Sequence, residues 1–177
     1  MVAVPSDLSW LPPLFGLQEC GGDWTAYSER LYCAFRDDFV HSVPSYGGKR
    51  VAVQGQPYPD GRHQVFWHLT SQGEVEADRD MDLRRCERLR WVRALIDKGN
   101  AGSDLVCCWT DRSRGDLRHQ IALPDFSYLV VLADKGNFNL LITAFCIERE
   151  HTQKKHRQHY EASKVPARPA TNLPRKG

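Results

Sequence analysis

Four short apolar segments between residues 104 and 146 place the strongest constraint on the fold of this 177-residue chain. Each has the length and the β-branched or aromatic content of a strand, and the connections between them carry turn-forming Gly, Pro, Asp, Asn and Ser. The segments are Asp104–Thr110, Leu117–Leu123, Ser127–Ala133 and Phe138–Cys146. Because strands joined by short connections pair with each other, the pattern predicts a four-stranded antiparallel meander.

Segments that predict helices lie before and after these strands in the sequence. Asp23–Val40 predicts a helix capped by Asp23, and Asp78–Lys98 predicts a second helix that stops at Gly99. The polar stretch Glu148–Ser163 predicts a third. The order of elements predicts an α+β fold, in which N-terminal helices pack on one face of the four-stranded sheet and a C-terminal helix follows it.

The distribution of proline and of apolar residues predicts a single domain with irregular ends. Residues 1–22 predict an irregular N-terminal segment, and residues 23–163 predict the domain, which includes a short strand at Arg50–Val53. Residues 164–177 contain three prolines and predict a disordered basic tail. A hydrophobic content of 41% is sufficient for a packed core.

Hydropathy and the N-terminal residues predict where in the cell the protein is found. No apolar run approaches the roughly 18 residues that a membrane span requires. The first residues lack the basic region and the long apolar stretch of a signal peptide. We therefore expect a cytoplasmic protein without a membrane partner, whose six cysteines are reduced.

The formal net charge of +2 conceals an uneven distribution. Residues 148–177 carry eight Lys and Arg against three Glu, and residues 79–93 carry six Arg against three acidic residues. Such excesses are compatible with a polyanionic partner. They are equally compatible with a solvated helix face and a loose tail, so charge alone leaves both interpretations open.

His68 and Thr143 are the polar residues that stand out within apolar segments. His68 follows Phe66 and Trp67, and a histidine near its unperturbed pKa transfers protons at neutral pH. In the last predicted strand, alternation places Thr143 on one face with Leu141 and Phe145. The structural alternatives are a core-edge histidine bonded to backbone, and a threonine selected for strand propensity.

Basic side chains in the second and third predicted helices are candidates for contact with an anion. Guanidinium groups bind phosphate bidentately, although some of them must form ordinary ion pairs. The basic candidates are Arg84, Arg85, Arg88, Arg90 and Lys155. Tyr160, in the third predicted helix, is a further candidate because its ring is suited to base stacking. His156 and His159 have no third ligand at a suitable spacing, so we predict no metal site.

Several segments, taken in order, resemble a phage and mobile-element group within the barnase–EndoU–colicin–RelE-like nuclease superfamily. The segments are Phe66–His68, Arg85–Val92, Tyr128–Val131 and Thr143–Phe145. The resemblance spans about residues 27–162. It departs from the pattern at Arg90, where a proline or an apolar residue is expected.

The resemblance implies a metal-independent endoribonuclease without a cofactor, of the kind that acts as a toxin or defence component. Such enzymes drive the ribose 2′-hydroxyl onto the adjacent phosphate of an RNA, here tRNA or mRNA, and an antitoxin or immunity protein is an expected partner. His68, Arg85 and Thr143 become the candidate catalytic residues. The basic residues and Tyr160 named above become candidates for substrate contact. Two rivals remain open: a non-catalytic nucleic-acid-binding module and a protein-interaction subunit of a defence system.

Overall fold

The four predicted strands form the centre of one sheet. The computed structural model describes residues 7–54, 60–73, 80–113 and 115–164. Adjacent pairing is antiparallel throughout the meander. Its strands are β5 (Cys107–Ser113), β6 (Asp116–Ala122), β7 (Tyr128–Asp134) and β8 (Asn139–Cys146), and four shorter strands precede them in the chain. The meander and the α+β class are therefore confirmed.

The sheet has six strands in the described residues, so the predicted number of four was wrong. A hairpin of β1 (Ser45–Tyr46) and β2 (Lys49–Ala52) extends it, in the order β1-β2-β8-β7-β6-β5. β2 runs parallel to β8 and pairs only with the first residues of that strand. This pairing brings together residues almost ninety positions apart, and no local pattern specifies it.

The first predicted helix is confirmed as α1 (Trp24–Arg36). Asp23 caps it, since its Oδ1 accepts hydrogen bonds from the amides of Thr25 and Ala26 at 2.8 and 3.1 Å. Tyr27, Leu31 and Phe35 form its buried stripe. The chain continues as a π-turn over Asp37–His41.

The second predicted helix is two helices, α3 (Leu83–Glu87) and α4 (Leu89–Asn100), separated at Arg88. Asp80 and Met81 are not helical, because they form β4 (Asp80–Met81), which pairs with β3 (Ser71–Gln72), and the first two residues of the predicted helix lie outside the described residues. Gly99 does not stop α4 but lies within it. A Cβ there would lie 3.0 Å from the Tyr46 ring and 3.1 Å from Cys108 Sγ, so the glycine permits close approach of helix and sheet.

Helices cover both faces of the sheet. The main core lies on the helix-side face, beneath α1, α2 (Gln64–Thr70) and α4. The opposite face, called the outer face here, carries a smaller cluster around Trp109, Leu129 and Val131, against which α5 (Glu150–Lys164) places Tyr160. Cys107 packs on the outer face and Cys108 on the helix side, as strand alternation predicts.

A β-bulge interrupts the alternation of β8. Val131 lies opposite Thr143, but Leu132 lies opposite Leu141, so Ile142 is an extra residue. Leu141 consequently lies in the helix-side core. Its predicted position on the same face as Thr143 was therefore wrong.

The segments before and after the predicted domain have different outcomes. The N-terminal segment is held by hydrogen bonds from Trp91 Nε1 to the Pro12 carbonyl at 2.9 Å and from the Phe15 amide to the Glu87 carbonyl at 2.9 Å. The predicted C-terminal helix is confirmed, and it extends to Lys164. The rest of the predicted disordered tail lies outside the described residues. No helix in the described ranges is both long enough and apolar enough to cross a membrane.

Candidate functional site

His68, Arg85 and Thr143 come from three separate segments and meet at one point. Arg85 Nη1 donates a hydrogen bond to the main-chain carbonyl of His68 at 3.1 Å, and Thr143 Oγ1 donates to the same oxygen at 3.4 Å. The three side chains are half-buried. The predicted catalytic residues are therefore neighbours, but the contact that joins them uses the backbone of His68.

Local structure explains this meeting point. His68 lies in the last turn of α2, where helix carbonyls lack intrahelical partners and accept side-chain donors. Asp82 caps α3 and forms an ion pair with Arg85 Nε at 3.5 Å. The Arg85 guanidinium lies 5.8 Å from the centre of the Phe145 ring. These contacts hold Arg85 between the end of α2 and β8.

A cleft of about 280 Å³ borders Arg85. Three arginines and two acidic residues line it, which gives its wall a small positive excess. Arg84 forms an ion pair with Glu148, in which both side chains are more than 60% exposed. Exposed ion pairs contribute little stability, so Arg84 can exchange this partner for an anionic ligand at little cost. The charged lining residues are Asp82, Arg84, Arg85, Glu148 and Arg149.

Arg88 and Arg90 do not line this cleft. Arg88 Nη1 donates to the Arg84 carbonyl at 3.1 Å, and its guanidinium lies 5.1 Å from the Trp91 ring centre. Arg90 forms an ion pair with Asp38 at 3.7 Å. Both arginines thus contact other parts of the protein and do not take part in the cleft.

Lys155 and Tyr160 lie on α5, which packs against the outer face. Lys155 is exposed. Tyr160 is half-buried and lines a second cavity of about 640 Å³, together with Arg157, Phe126 and Cys107. Neither residue lines the cleft beside Arg85.

Comparison of the chain with protein-family models, with curated proteins and with solved structures finds no match. The nuclease resemblance therefore stays a prediction. Within the described ranges, no group of three or more His, Cys, Asp and Glu side chains lies together as a metal site would require. All six cysteines lie in the described residues and are free.

Sequence reasoning missed Arg149, the third arginine of the cleft. It stands in Glu148–Glu150, a charged run separated from β8 by Ile147 alone, and this run is the signal that could have identified it. His119, on β6, is half-buried, with Nε2 3.8 Å from Asp134 Oδ2. Burial lowers the pKa of His119, and the Asp134 carboxylate opposes that shift.

Proposed function

We propose that this protein is a metal-independent endoribonuclease that binds an RNA phosphate in the cleft beside Arg85. The observation that carries the proposal is that Arg85, which meets Thr143 at the His68 carbonyl, also lines a cleft together with two further arginines. The nuclease resemblance selects the same three residues from the sequence. Cleavage by attack of the 2′-hydroxyl requires a proton acceptor, a proton donor and cations for the developing charge.

The arginines of the cleft have different roles in this proposal. Arg84 and Arg149 are exposed and contact the phosphate directly. Arg85 is 17% exposed and is held by Asp82 and by the His68 carbonyl, so it supplies a fixed positive charge and positions the end of α2. Preorganised charge of this kind stabilises a transition state without reorganisation.

His68 is the proposed proton-transfer group. Its position in the last turn of α2 is fixed through its carbonyl by Arg85 and Thr143, so these two residues act on the imidazole indirectly. The resemblance further supports tRNA or mRNA as the substrate, a reaction without a cofactor, and an antitoxin or immunity protein as the partner, and we propose the cytoplasm as the place of action. We include all of these in the proposal.

The test is incubation of the purified protein with total RNA and with tRNA in excess EDTA. We expect cleavage that leaves 2′,3′-cyclic phosphate ends. His68→Ala should abolish it, and Arg84→Ala combined with Arg149→Ala should strongly reduce it. Arg112→Ala removes an exposed arginine that does not line the cleft and should cleave normally. Full cleavage by folded His68→Ala would refute the role of His68.

A second candidate function is non-catalytic binding of nucleic acid. It is favoured by a specific observation: Arg85 and Thr143 both donate to a backbone carbonyl, which is a structural use of these groups. The same preparation distinguishes the two functions. A binding module should retain RNA in a salt-sensitive complex without any product.

A further inference from the structure

Four polar side-chain atoms on the outer face are buried without a hydrogen-bond partner among the described residues. They are Trp109 Nε1, Asp111 Oδ1, Arg118 Nε and Gln120 Oε1. Trp109 pairs across the strands with Gln120, and Asp111 with Arg118, so the four side chains share one face of β5 and β6. Trp109 is 4% exposed and Gln120 is 6% exposed. Buried polar atoms are normally paired, so this cluster requires an explanation.

The cluster offers two donors and two acceptors. The indole of Trp109 and the Nε of Arg118 donate, while Asp111 and Gln120 accept through the unpaired oxygens. The one hydrogen bond between them runs from Gln120 Nε2 to Asp111 Oδ2 at 3.1 Å. An unpaired buried polar group destabilises the folded protein, so the arrangement is unfavourable unless another molecule completes it.

Helix α5 covers the β5 side of this cluster. The rings of His156 and Tyr160 lie 5.9 and 6.1 Å from the Trp109 ring, and Phe126 lies 6.0 Å from it. Burial lowers the pKa of His156, and the Asp111 carboxylate opposes that shift. Two aromatic side chains of α5 therefore pack against the indole beside the unpaired atoms.

Helix α5 makes few buried contacts with the rest of the protein. None of the fifteen residues of α5 is fully buried. Its side-chain bonds to the rest of the protein include Gln153 Nε2 to the Ile147 carbonyl at 2.6 Å and Arg157 Nη2 to the Pro124 carbonyl at 3.4 Å. Elements with few buried apolar contacts open locally at low free energy. Displacement of α5 would return buried polar atoms to solvent or ligand, which partly offsets the lost packing.

We infer that the outer face around Trp109, Asp111, Arg118 and Gln120 binds a base of single-stranded RNA, and that α5 occupies this site in the closed protein. The choice of RNA as ligand rests on the proposed function. Single-stranded RNA is recognised by stacking of bases on aromatic rings and by hydrogen bonds to the base edges. Trp109 supplies the ring, and the four unpaired atoms supply complementary donors and acceptors. His156 and Tyr160 stand where bases would stack.

The first experiment separates a binding role from a structural one. The double variant Asp111→Leu/Gln120→Met removes a hydrogen-bonded pair together, a change that is often neutral for stability. We expect the folded double variant to bind a short 2′-O-methyl RNA, which has no 2′-hydroxyl nucleophile, at least about fivefold more weakly than the wild type. Thr110→Val changes an exposed β5 residue between Trp109 and Asp111 and should bind normally.

The second experiment tests whether α5 covers the proposed RNA site. His156→Ala/Tyr160→Ala in the full chain should increase amide exchange in α5 and β5, and should tighten binding of the same RNA several-fold. Gln158→Ala, at an exposed position of α5, is the matched control. Direct stacking of Tyr160 on RNA makes the opposite prediction, since loss of its ring would weaken binding.

The outcomes separate this inference from the proposed ribonuclease activity. RNA binding that depends on Asp111 and Gln120 supports the site even if no RNA is cleaved. Unchanged RNA affinity in the folded Asp111→Leu/Gln120→Met variant overturns it, whether or not the wild type cleaves RNA. If His156→Ala/Tyr160→Ala increases amide exchange in α5 but leaves the affinity for RNA unchanged, the covering role is overturned. Release of α5 would then expose no surface that binds RNA.

Discussion

Arg85 Nη1 lies 3.1 Å from the main-chain oxygen of His68 and donates a hydrogen bond to it. This bond joins the start of α3 to the end of α2 and places a guanidinium at the wall of the cleft. The same arginine is therefore a structural residue and a candidate catalytic residue. Measurements of stability and of cleavage must be made on the same variants to distinguish these roles.

Replacement of Arg85 should destabilise the protein measurably. Arg85→Ala leaves the His68 carbonyl with Thr143 as its side-chain donor and removes the ion pair with Asp82. A lost hydrogen bond of a charged, largely buried group costs about 1–3 kcal/mol. We expect this decrease in the free energy of unfolding by urea denaturation. Arg84→Ala, at an exposed position, should change it by less than about 0.5 kcal/mol.

Gly99 should not tolerate a side chain. A Cβ at this position would lie 3.0 Å from the Tyr46 ring, 3.1 Å from Cys108 Sγ and 3.3 Å from Ile121. Overpacking of this kind typically costs about 1–3 kcal/mol, despite the better helix propensity of alanine. Thermal and urea denaturation of Gly99→Ala measure the effect. Gly16→Ala is the control, because its added Cβ would meet no atom closer than 3.9 Å. Equal stability of the two variants would contradict the packing of α4 on the sheet.

The salt dependence of RNA binding should report on the cleft. Each phosphate contact by Lys or Arg releases condensed counterions, so its loss reduces the slope of log affinity against log salt concentration. Arg84→Ala/Arg149→Ala should lower the magnitude of this slope by about 2 at most and weaken binding across sequences. Binding of 2′-O-methyl RNA at several salt concentrations measures it. An unchanged slope would mean that the cleft does not contact phosphate.

The protein should lose stability as the pH falls below about 6.5. Burial lowers the pKa values of His63, His119 and His156 in the folded state. Histidines of the unfolded chain have a pKa of about 6.5. Below that pH the unfolded chain therefore binds more protons than the folded protein does. This stability is therefore present above pH 6.5 and is lost as the pH falls toward the lowered pKa values. Urea denaturation at a series of pH values should show the decline. His119→Gln should reduce it more than His151→Gln, which changes an exposed residue.

The thiols should react in the order of their exposure. Cys33 is exposed, whereas Cys86 is fully buried. Burial raises the pKa of the Cys86 thiol to about 12, so very little thiolate is present at neutral pH. Titration with a thiol reagent should modify Cys33 in the native protein and Cys86 only after denaturation. Rapid reaction of Cys86 in the native state would show that the core opens around α3.

The sequence identified three members of the candidate site, but it indicated neither Arg149 nor the geometry that joins them. Apolar surroundings distinguish His68 and Thr143 in the sequence, and charge density distinguishes Arg85. The direction of each side chain depends on the turn between α3 and α4 and on the bulge in β8, neither of which follows from periodicity. The contact of Arg90 with Asp38 likewise depends on how α4 packs beside α1.

The sequence by itself determined the elements that depend on neighbouring residues. The cap at Asp23, the four-stranded meander and the polar C-terminal helix arise from local hydrogen bonding, short connections and the period of apolar residues. Tertiary structure decided the parallel pairing of β2 with β8, the extra residue in β8 and the burial of unpaired polar atoms on the outer face. These features depend on contacts between residues distant in the chain, and their free energy depends on packing that the local sequence does not specify.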